Sequence, residues 1–240
     1  MPERAALVTG ASSGIGFAIA RVLGEEGHAL TLASRRPEKL GEAAEMLRND
    51  GFDVEHVAAN MADEAGIQHV VAAHRERWGR LDVLVNNAGV GVAQLVADVE
   101  TRRVDLQLAV NVRALILFYR ECADLLRAAG AEHRNALVVN TSSLSGKAGQ
   151  AWLNVYSATK AAVIGWTQAM NNELNSDGIK SVALCPGFVD TAMTEFIREH
   201  VAQEDMIRTE DVAEAVRFLL KTSPQCVVPE IVFQRPGEAL

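Results

Sequence analysis

The segment Thr9-Gly10-Ala11-Ser12-Ser13-Gly14-Ile15-Gly16 follows an apolar run at residues 5–8 and opens an amphipathic stretch at residues 15–26. The apolar run predicts a buried strand, and the spacing of apolar residues after the glycines predicts a helix. Glycines allow a tight turn here and let the backbone approach a ligand closely. The start of the helix offers free N–H groups and the positive end of a dipole, which together favour a pyrophosphate.

We therefore predict that this turn binds a dinucleotide through Gly10, Ser12, Ser13, Gly14, Ile15 and Gly16. The glycine spacing differs from the common G-x-G-x-x-G, so the generic fingerprint does not strictly match. A tight strand-to-helix turn without a ligand is the alternative. Three glycines and two serines at the carboxyl end of the first strand favour the phosphate-binding interpretation.

Strand and helix patterns alternate along the rest of the chain. Further strands are predicted at residues 29–33, 54–58, 83–85, 136–139, 181–184 and 231–233, and helices at 37–49, 64–78, 102–129, 155–175 and 210–220. Most strand candidates are continuous apolar runs, as expected when helices cover both faces of a sheet. The pattern predicts one Rossmann-type α/β domain over residues 1–240, with a doubly wound parallel sheet of about seven strands.

The composition excludes several classes of protein. The net charge is -8 with both signs interspersed, and there is no basic stripe of the kind that nucleic-acid binding requires. No apolar run is long enough to span a membrane, and Met1-Pro2-Glu3-Arg4 leaves no room for a signal peptide before the first strand. Cysteines are few and widely spaced, and histidines are scattered, so we expect reduced thiols, no metal site and a cytoplasmic protein.

The end of the second strand indicates which dinucleotide fits. An acidic residue there would hold the ribose 2′-hydroxyl of NAD, whereas an arginine would accommodate the 2′-phosphate of NADP. The segment is Ala33-Ser34-Arg35-Arg36, without an acidic residue before Glu38. Arg35 offers a guanidinium fork and Ser34 a hydroxyl, so we predict NADP(H) rather than NAD(H). Two solvated surface arginines are the alternative.

Tyr156 and Lys160 lie four residues apart on the predicted helix 155–175, hence on one face and within one turn. An ordinary phenol is a poor base at neutral pH, and a nearby ammonium favours its ionised form. A tyrosine capping the core beside a surface lysine is the alternative. Two other segments favour the catalytic interpretation because they place small polar residues at the carboxyl edge of the sheet, namely Asn140-Thr141-Ser142-Ser143 and Asn86-Asn87-Ala88-Gly89.

Through about Thr191, these motifs fall in the order and spacing that resemble the short-chain dehydrogenase/reductase family in its compact single-domain form. The resemblance implies that Tyr156 is the general acid/base and that Lys160 holds the nicotinamide ribose and lowers the tyrosine pKa. It implies that Ser143, rather than Ser142, orients the substrate carbonyl. Asn111 resembles the family asparagine that anchors a water in a proton relay to the lysine, although a satisfied asparagine inside a helix is the alternative.

The resemblance also assigns further cofactor contacts. Asn87, Ala88 and Gly89 would line the path from the adenosine ribose to the nicotinamide, and the turn Pro186, Gly187, Val189 and Thr191 would meet the carboxamide. Where the family often has an aspartate that contacts the adenine, this chain has Asn60-Met61. An asparagine still has an acceptor oxygen, so we expect the contact to persist.

These observations predict an NADP(H)-dependent oxidoreductase that interconverts a carbonyl and an alcohol, with a short substrate lid near residues 191–209. The sequence does not distinguish between four substrate classes: 3-oxoacyl thioesters, hydroxy acids, steroids, and small ketones or aldehydes. A pocket with an apolar lining would favour steroids or long chains, and a pocket lined by arginines would favour carboxylates. A non-catalytic dinucleotide sensor is the alternative. We expect a homodimer or homotetramer, although the ending Glu230–Gly237 lacks the Val-Asp-Gly-Gly of many tetrameric relatives.

Overall fold

A computed structural model describes residues 2–237 and contains one seven-stranded sheet. All strands are parallel, in the order β3-β2-β1-β4-β5-β6-β7. Their bounds are β1 Ala5–Thr9, β2 Ala29–Ser34, β3 Val54–Ala58, β4 Val83–Asn86, β5 Ala136–Thr141, β6 Ile179–Pro186 and β7 Glu230–Phe233. The predicted fold class, a doubly wound parallel sheet, is confirmed.

Helices cover both faces of this sheet. They are α1 Gly14–Glu25, α2 Pro37–Asn49, α3 Glu64–Trp78, α4 Thr101–Leu108, α5 Ala114–His133, α6 Asn154–Leu174 and α7 Thr209–Leu220. On one face α1, α2 and α7 bury residues such as Ile19, Leu40 and Val216, and on the other α3, α5 and α6 bury Ile67 and Phe118 among others. Strands covered on both sides lose all contact with water, which is why they read as continuous apolar runs.

The predicted helix 102–129 is interrupted. Between α4 and α5 the residues Ala109–Arg113 form a π-helical turn, and α5 then continues to His133, where Arg134 ends it in the left-handed conformation. Asn111, at the centre of the π-helical turn, directs its side chain away from the helix and onto the backbone of Val90. Single π-helical turns inside α-helices occur frequently at functional sites.

The chain order places a crevice at the carboxyl edge of the sheet. From β1 the chain continues to β2 and β3 on one side and then crosses to β4 on the other. The loops after β1 and β4 therefore diverge, and ligands of open α/β folds bind at this point. Within residues 2–237, no helix is long and apolar enough to cross a membrane.

Candidate active site

The glycine turn after β1 has the close backbone packing that was predicted from its sequence. Gly10 and Gly14 adopt positive φ angles of 67° and 61°, a conformation that favours glycine. A Cβ on Gly16 would lie 2.5 Å from the carbonyl oxygen of Gly10, and one on Gly14 would lie 3.2 Å from the side chain of Thr191. The turn is therefore tightly folded, and Gly10, Gly14 and Ile15 line the crevice beside the start of α1, where a pyrophosphate would be favoured.

Asn87 joins the ends of three strands. Its Nδ2 donates to the carbonyl oxygens of Thr9 (3.2 Å) and Gly10 (3.3 Å), and its Oδ1 accepts from the hydroxyl of Thr141 (3.2 Å). The hydroxyl of Thr9 accepts from the backbone N–H groups of Asn87 and Ala88. These bonds fix the glycine turn, the loop after β4 and the end of β5 relative to one another.

The end of β2 carries the residues predicted to select the cofactor. The hydroxyl of Ser34 donates to that of Ser12 at 3.0 Å, which links β2 to the glycine turn. Arg35 and Arg36 are exposed, and within residues 2–237 neither guanidinium forms an ion pair or hydrogen bond. Arg36 immediately precedes α2 and lines the crevice. A cation at a helix N-terminus is unfavourable, so the pair is suited to an anionic partner.

Asn60 and Met61, which were predicted to contact the adenine, do not line the crevice, whereas the glycine turn does. The amide of Asn60 donates to Asp63 at 2.8 Å and its Oδ1 accepts from the N–H of Ala62 at 3.2 Å. Met61 is buried in the core. The acceptor oxygen of Asn60 thus already has one partner, and the adenine contact stays a prediction.

Lys160 and Tyr156 lie on one face of α6. The Nζ of Lys160 lies 5.5 Å from the centroid of the Tyr156 ring and donates to the carbonyl oxygen of Thr141 at 2.7 Å. Burial lowers the pKa of Lys160 to about 8. Burial also raises the pKa of Tyr156, whereas its hydrogen bond with Ser143 acts in the opposite direction. Without a ligand, Tyr156 therefore holds its proton at neutral pH and can donate it.

The two serines after β5 have different environments. The hydroxyl of Ser142 is buried and donates to the carbonyl oxygen of Lys160 at 2.8 Å. The hydroxyl of Ser143 donates to the carbonyl oxygen of Pro186 over a longer distance, 3.3 Å, and lies beside Tyr156 in the crevice. Ser143 is therefore the hydroxyl that can turn towards a substrate oxygen, whereas Ser142 holds α6 against β5.

Asn111 supports the loop after β4. Its Oδ1 accepts from the N–H of Val90 and its Nδ2 donates to the carbonyl oxygen of the same residue, both at 2.8 Å. Its Nδ2 also donates to the hydroxyl of Thr159 at 3.0 Å. A Cβ on Gly89 would lie 3.5 Å from both Asn111 Oδ1 and Lys160 Nζ, so the loop passes directly over the lysine. The side-chain amide is thus satisfied by protein, and the water relay stays a prediction.

Two adjoining cavities occupy the crevice. The larger has a volume of about 300 Å³, and among the predicted cofactor-binding residues its lining includes Gly10, Ser13, Gly14, Ile15, Asn87, Ala88, Gly89, Tyr156, Lys160, Pro186, Gly187, Val189 and Thr191. The other predicted cofactor-binding residues, Ser12, Gly16, Ser34, Arg35, Asn60 and Met61, lie outside this lining. Parts of four separate segments thus meet in one place: the glycine turn, the loop after β4, helix α6 and the turn after β6.

The smaller cavity has a volume of about 140 Å³ and shares part of its lining with the larger one. Ser143 and Tyr156 line both cavities, and so do Gly187, Met193 and Thr194. Apart from five polar side chains, its lining is apolar or glycine: Gly91, Ala93, Leu144, Leu153, Gly187, Phe188, Met193 and Phe196. Trp152 packs edge-on against Phe196, with ring centroids 5.9 Å apart, from outside this lining.

The segment predicted as a lid is held at both ends. Val189 and Ile207 form a parallel bridge, and Asp190 accepts from Arg198 (3.2 Å) and Gln203 (2.7 Å). Between them, the short 3₁₀ helix Ala192–Ile197 carries four of the residues that line the two cavities. The segment therefore closes one side of the crevice.

Sequence reasoning missed Arg36, Met193, Thr194 and Phe196. Arg36 shares the signal that indicated Arg35, the absence of an acidic residue after β2. The lid residues belong to no motif, and only the folding of the segment onto the crevice identifies them. Among residues 2–237, no group of three or more His, Cys, Asp or Glu side chains is placed to hold a metal ion.

Comparison with known proteins identifies similar dehydrogenases and reductases. The family described as short chain dehydrogenase matches residues 4–202. The chain is 40% identical over 198 residues to "Granaticin polyketide synthase putative ketoacyl reductase 1" of Streptomyces violaceoruber, which covers 82% of this chain and 72% of the relative.

Two solved structures are similar over nearly their whole length. An alcohol dehydrogenase from the archaeon Thermococcus sibiricus, complexed with 5-hydroxy-NADP, has a TM-score of 0.87 at 28% identity and covers 98% of this chain and 99% of that one. A variant of the actinorhodin polyketide ketoreductase with NADPH has a TM-score of 0.87 at 32% identity, with 95% of each chain covered.

Proposed function

The chain belongs to the short-chain dehydrogenase/reductase family, and on that premise we propose that it is an NADP(H)-dependent oxidoreductase that interconverts a carbonyl group and an alcohol. One observation carries the proposal. Ser143 and Tyr156 line both cavities of the crevice, so they lie between the space beside the glycine turn and the apolar space beyond. A reacting carbonyl in that position would meet two hydroxyl donors on one side.

In the direction of reduction, the hydroxyls of Tyr156 and Ser143 donate hydrogen bonds to the substrate carbonyl oxygen and polarise it. When bound in the crevice, NADPH would supply the hydride that the carbonyl carbon accepts. Tyr156 then gives up its proton to the oxygen, and the phenolate that remains is stabilised by the ammonium of Lys160. Solvent returns a proton to Tyr156, which completes the balance of one hydride and one proton per alcohol formed.

The residues present fit a dinucleotide phosphorylated at the 2′ position. Gly10, Ser13, Gly14 and Ile15 of the glycine turn line the crevice, and the two arginines after β2 have no anionic partner within residues 2–237. A 2′-phosphate would supply one, through charge-assisted hydrogen bonds to Arg35 or Arg36. The NADPH and 5-hydroxy-NADP complexes of the similar structures support the same choice.

The smaller cavity favours an uncharged substrate with an apolar skeleton. Its lining contains no Lys, Arg or His among the described residues, so a free carboxylate would lose its hydration there without gaining a cation. Within the classes considered, this favours 3-oxoacyl thioesters, steroids and small ketones or aldehydes, and the corresponding alcohols, over hydroxy acids.

The first experiment is a fluorescence titration of the purified protein with NADPH and, separately, with NADH. We expect clear preference for NADPH, followed by NADPH-dependent reduction of neutral ketones. Tyr156→Phe should bind NADPH as the wild type does and lose almost all turnover. Binding of neither dinucleotide would overturn the proposal. If the wild type bound a dinucleotide but turned over no carbonyl or alcohol, and Tyr156→Phe bound the dinucleotide equally well, the result would instead indicate the non-catalytic sensor.

A further inference from the structure

The smaller cavity contains five polar side chains, and three of them have an assigned role. Ser143 and Tyr156 act on the reacting oxygen under the proposed function. The hydroxyl of Thr194 accepts from the N–H of Thr191 and contacts the carbonyl oxygens of Thr191 and Val189, so it is used within the lid. Two side chains, Ser145 and Gln150, remain.

Neither of these two side chains has a partner within residues 2–237. Ser145 is only 5% exposed and uses its backbone N–H to donate to Ser143 Oγ at 3.1 Å, while its own hydroxyl forms no hydrogen bond. Gln150 is partly buried and uses its backbone N–H to donate to Ser157 Oγ at 3.2 Å, while its side-chain amide forms none. Polar groups in such positions are normally hydrogen-bonded, so a ligand or water must satisfy them.

Ser145 is held firmly in place. It belongs to the short 3₁₀ helix Leu144–Gly146, whose N-terminus is capped by Ser143. A Cβ on Gly146 would lie 2.7 Å from the carbonyl carbon of Lys160, so this turn packs directly on the backbone of α6. The backbone of Ser145 therefore keeps a fixed position relative to that of Ser143, two residues earlier in the chain.

We propose that Ser145 and Gln150 form a second polar subsite that recognises another, uncharged oxygen of the substrate. This inference rests on the proposed function. The substrate class is an apolar ketone or alcohol that carries a second carbonyl, ester or hydroxyl group near the reacting one. The serine hydroxyl and the glutamine amide can each donate and accept, which suits a neutral oxygen. The rest of the lining is apolar apart from the reacting pair and Thr194, whose hydroxyl is used within the lid.

The test compares two neutral ketones of equal chain length. Ethyl 3-oxohexanoate has a ketone and an ester carbonyl, and nonan-4-one replaces the ester by methylenes. We expect Gln150→Met and Ser145→Ala each to lower kcat/KM for the oxo ester about fivefold, because one neutral hydrogen bond is lost. The value for nonan-4-one should stay within about twofold of wild type or rise. Comparing each variant with the wild type removes the intrinsic difference in reactivity between the two ketones.

Gln68→Met is the matched control, since Gln68 is exposed on α3, away from the crevice, and should change neither rate. Equal losses on both ketones, or no loss on the oxo ester, would overturn the subsite and leave the proposed function standing, provided that Tyr156→Phe still abolishes turnover. If the wild-type protein bound NADPH but reduced neither ketone, the subsite and its substrate class would be overturned, whereas the proposed function is decided separately by the dinucleotide titration and by Tyr156→Phe.

Discussion

The Nζ of Lys160 donates a hydrogen bond to the carbonyl oxygen of Thr141 at 2.7 Å, at a position where the lysine is only 4% exposed. Within residues 2–237 this is the only hydrogen bond that the Lys160 ammonium makes to protein, and it joins α6 to the end of β5. One neutral oxygen replaces only part of the hydration that an ammonium has in water. The pKa of Lys160 falls for this reason from 10.5 to about 8.

We predict that Lys160→Met stabilises the cofactor-free protein at pH 7 by about 2 kcal/mol and abolishes activity. The unfolded chain binds a proton at this lysine below pH 10.5, whereas the folded chain does so only below about pH 8. At pH 7 the buried charge of Lys160 therefore lowers the free energy of unfolding of the wild type by its full amount, about 3 kcal/mol. Lys160→Met removes this cost but also loses the hydrogen bond to Thr141, so the net gain in stability is smaller. Urea unfolding at pH 7 and pH 10.5 checks this. A gain that persisted undiminished at pH 10.5 would contradict the explanation.

Removal of either arginine after β2 should weaken binding of NADPH but not of NADH. We expect Arg36→Ala or Arg35→Ala to raise the Kd for NADPH about tenfold to a hundredfold, as for loss of a hydrogen bond to a charged group. Lys39→Ala removes the same charge from an exposed position in α2 and is the control. Fluorescence titration at two salt concentrations measures the effect. An equal rise in the Kd for NADPH and for NADH would show that the arginines do not bind the 2′-phosphate.

Alanine at two helical glycines should have opposite effects. Gly16→Ala places a Cβ 2.5 Å from the carbonyl oxygen of Gly10, so we expect loss of dinucleotide binding and a lower Tm. Gly165→Ala, on the exposed side of α6, meets no atom within 4 Å and should stabilise the fold by about 0.5–1 kcal/mol. Thermal unfolding and NADPH titration of both variants check this. Wild-type binding by Gly16→Ala would exclude a closely packed phosphate turn.

Acid should destabilise the protein partly through His74. The Nε2–H of this buried histidine donates to the carbonyl oxygen of Arg80 (2.9 Å), and its Nδ1 accepts from the hydroxyl of Thr31 (2.8 Å), which itself accepts from the Trp78 indole. This arrangement requires the neutral ring, and burial lowers the pKa of His74 from 6.5 to about 4. The unfolded chain takes up this proton first, so stability falls by about 2–3 kcal/mol between pH 6.5 and pH 4.

The measurement is urea unfolding between pH 7 and pH 4 for the wild type and His74→Gln. The glutamine amide can replace both hydrogen bonds without titrating, so the variant should lose less stability over this interval. Part of the slope should remain, because burial also lowers the pKa of His28. Identical slopes for the two proteins would show that His74 does not account for the acid sensitivity.

The fold and the placement of Tyr156 and Lys160 on one helix face were predictable because both depend on local pattern. Continuous apolar runs identified the strands, and helical periodicity placed Tyr156 and Lys160 on one face before any long-range contact was known. Helix 102–129 was predicted as continuous, and the π-helical turn Ala109–Arg113 was missed. The turn coincides with a tertiary contact, the bonding of Asn111 to Val90, and local periodicity contains no information about that contact.

The sequence by itself determined the order of strands and helices, the glycine turn and the polar residues that end β4 and β5. Tertiary structure alone decided that the hydroxyl of Ser142 is used on the backbone of Lys160, whereas Ser143 lines both cavities of the crevice, since two adjacent serines are chemically equivalent. It also decided that Ser145 and Gln150 share an apolar cavity with Phe196. The residues of a cavity come from segments far apart in the chain, and they become neighbours only when the loops at the carboxyl edge of the sheet converge.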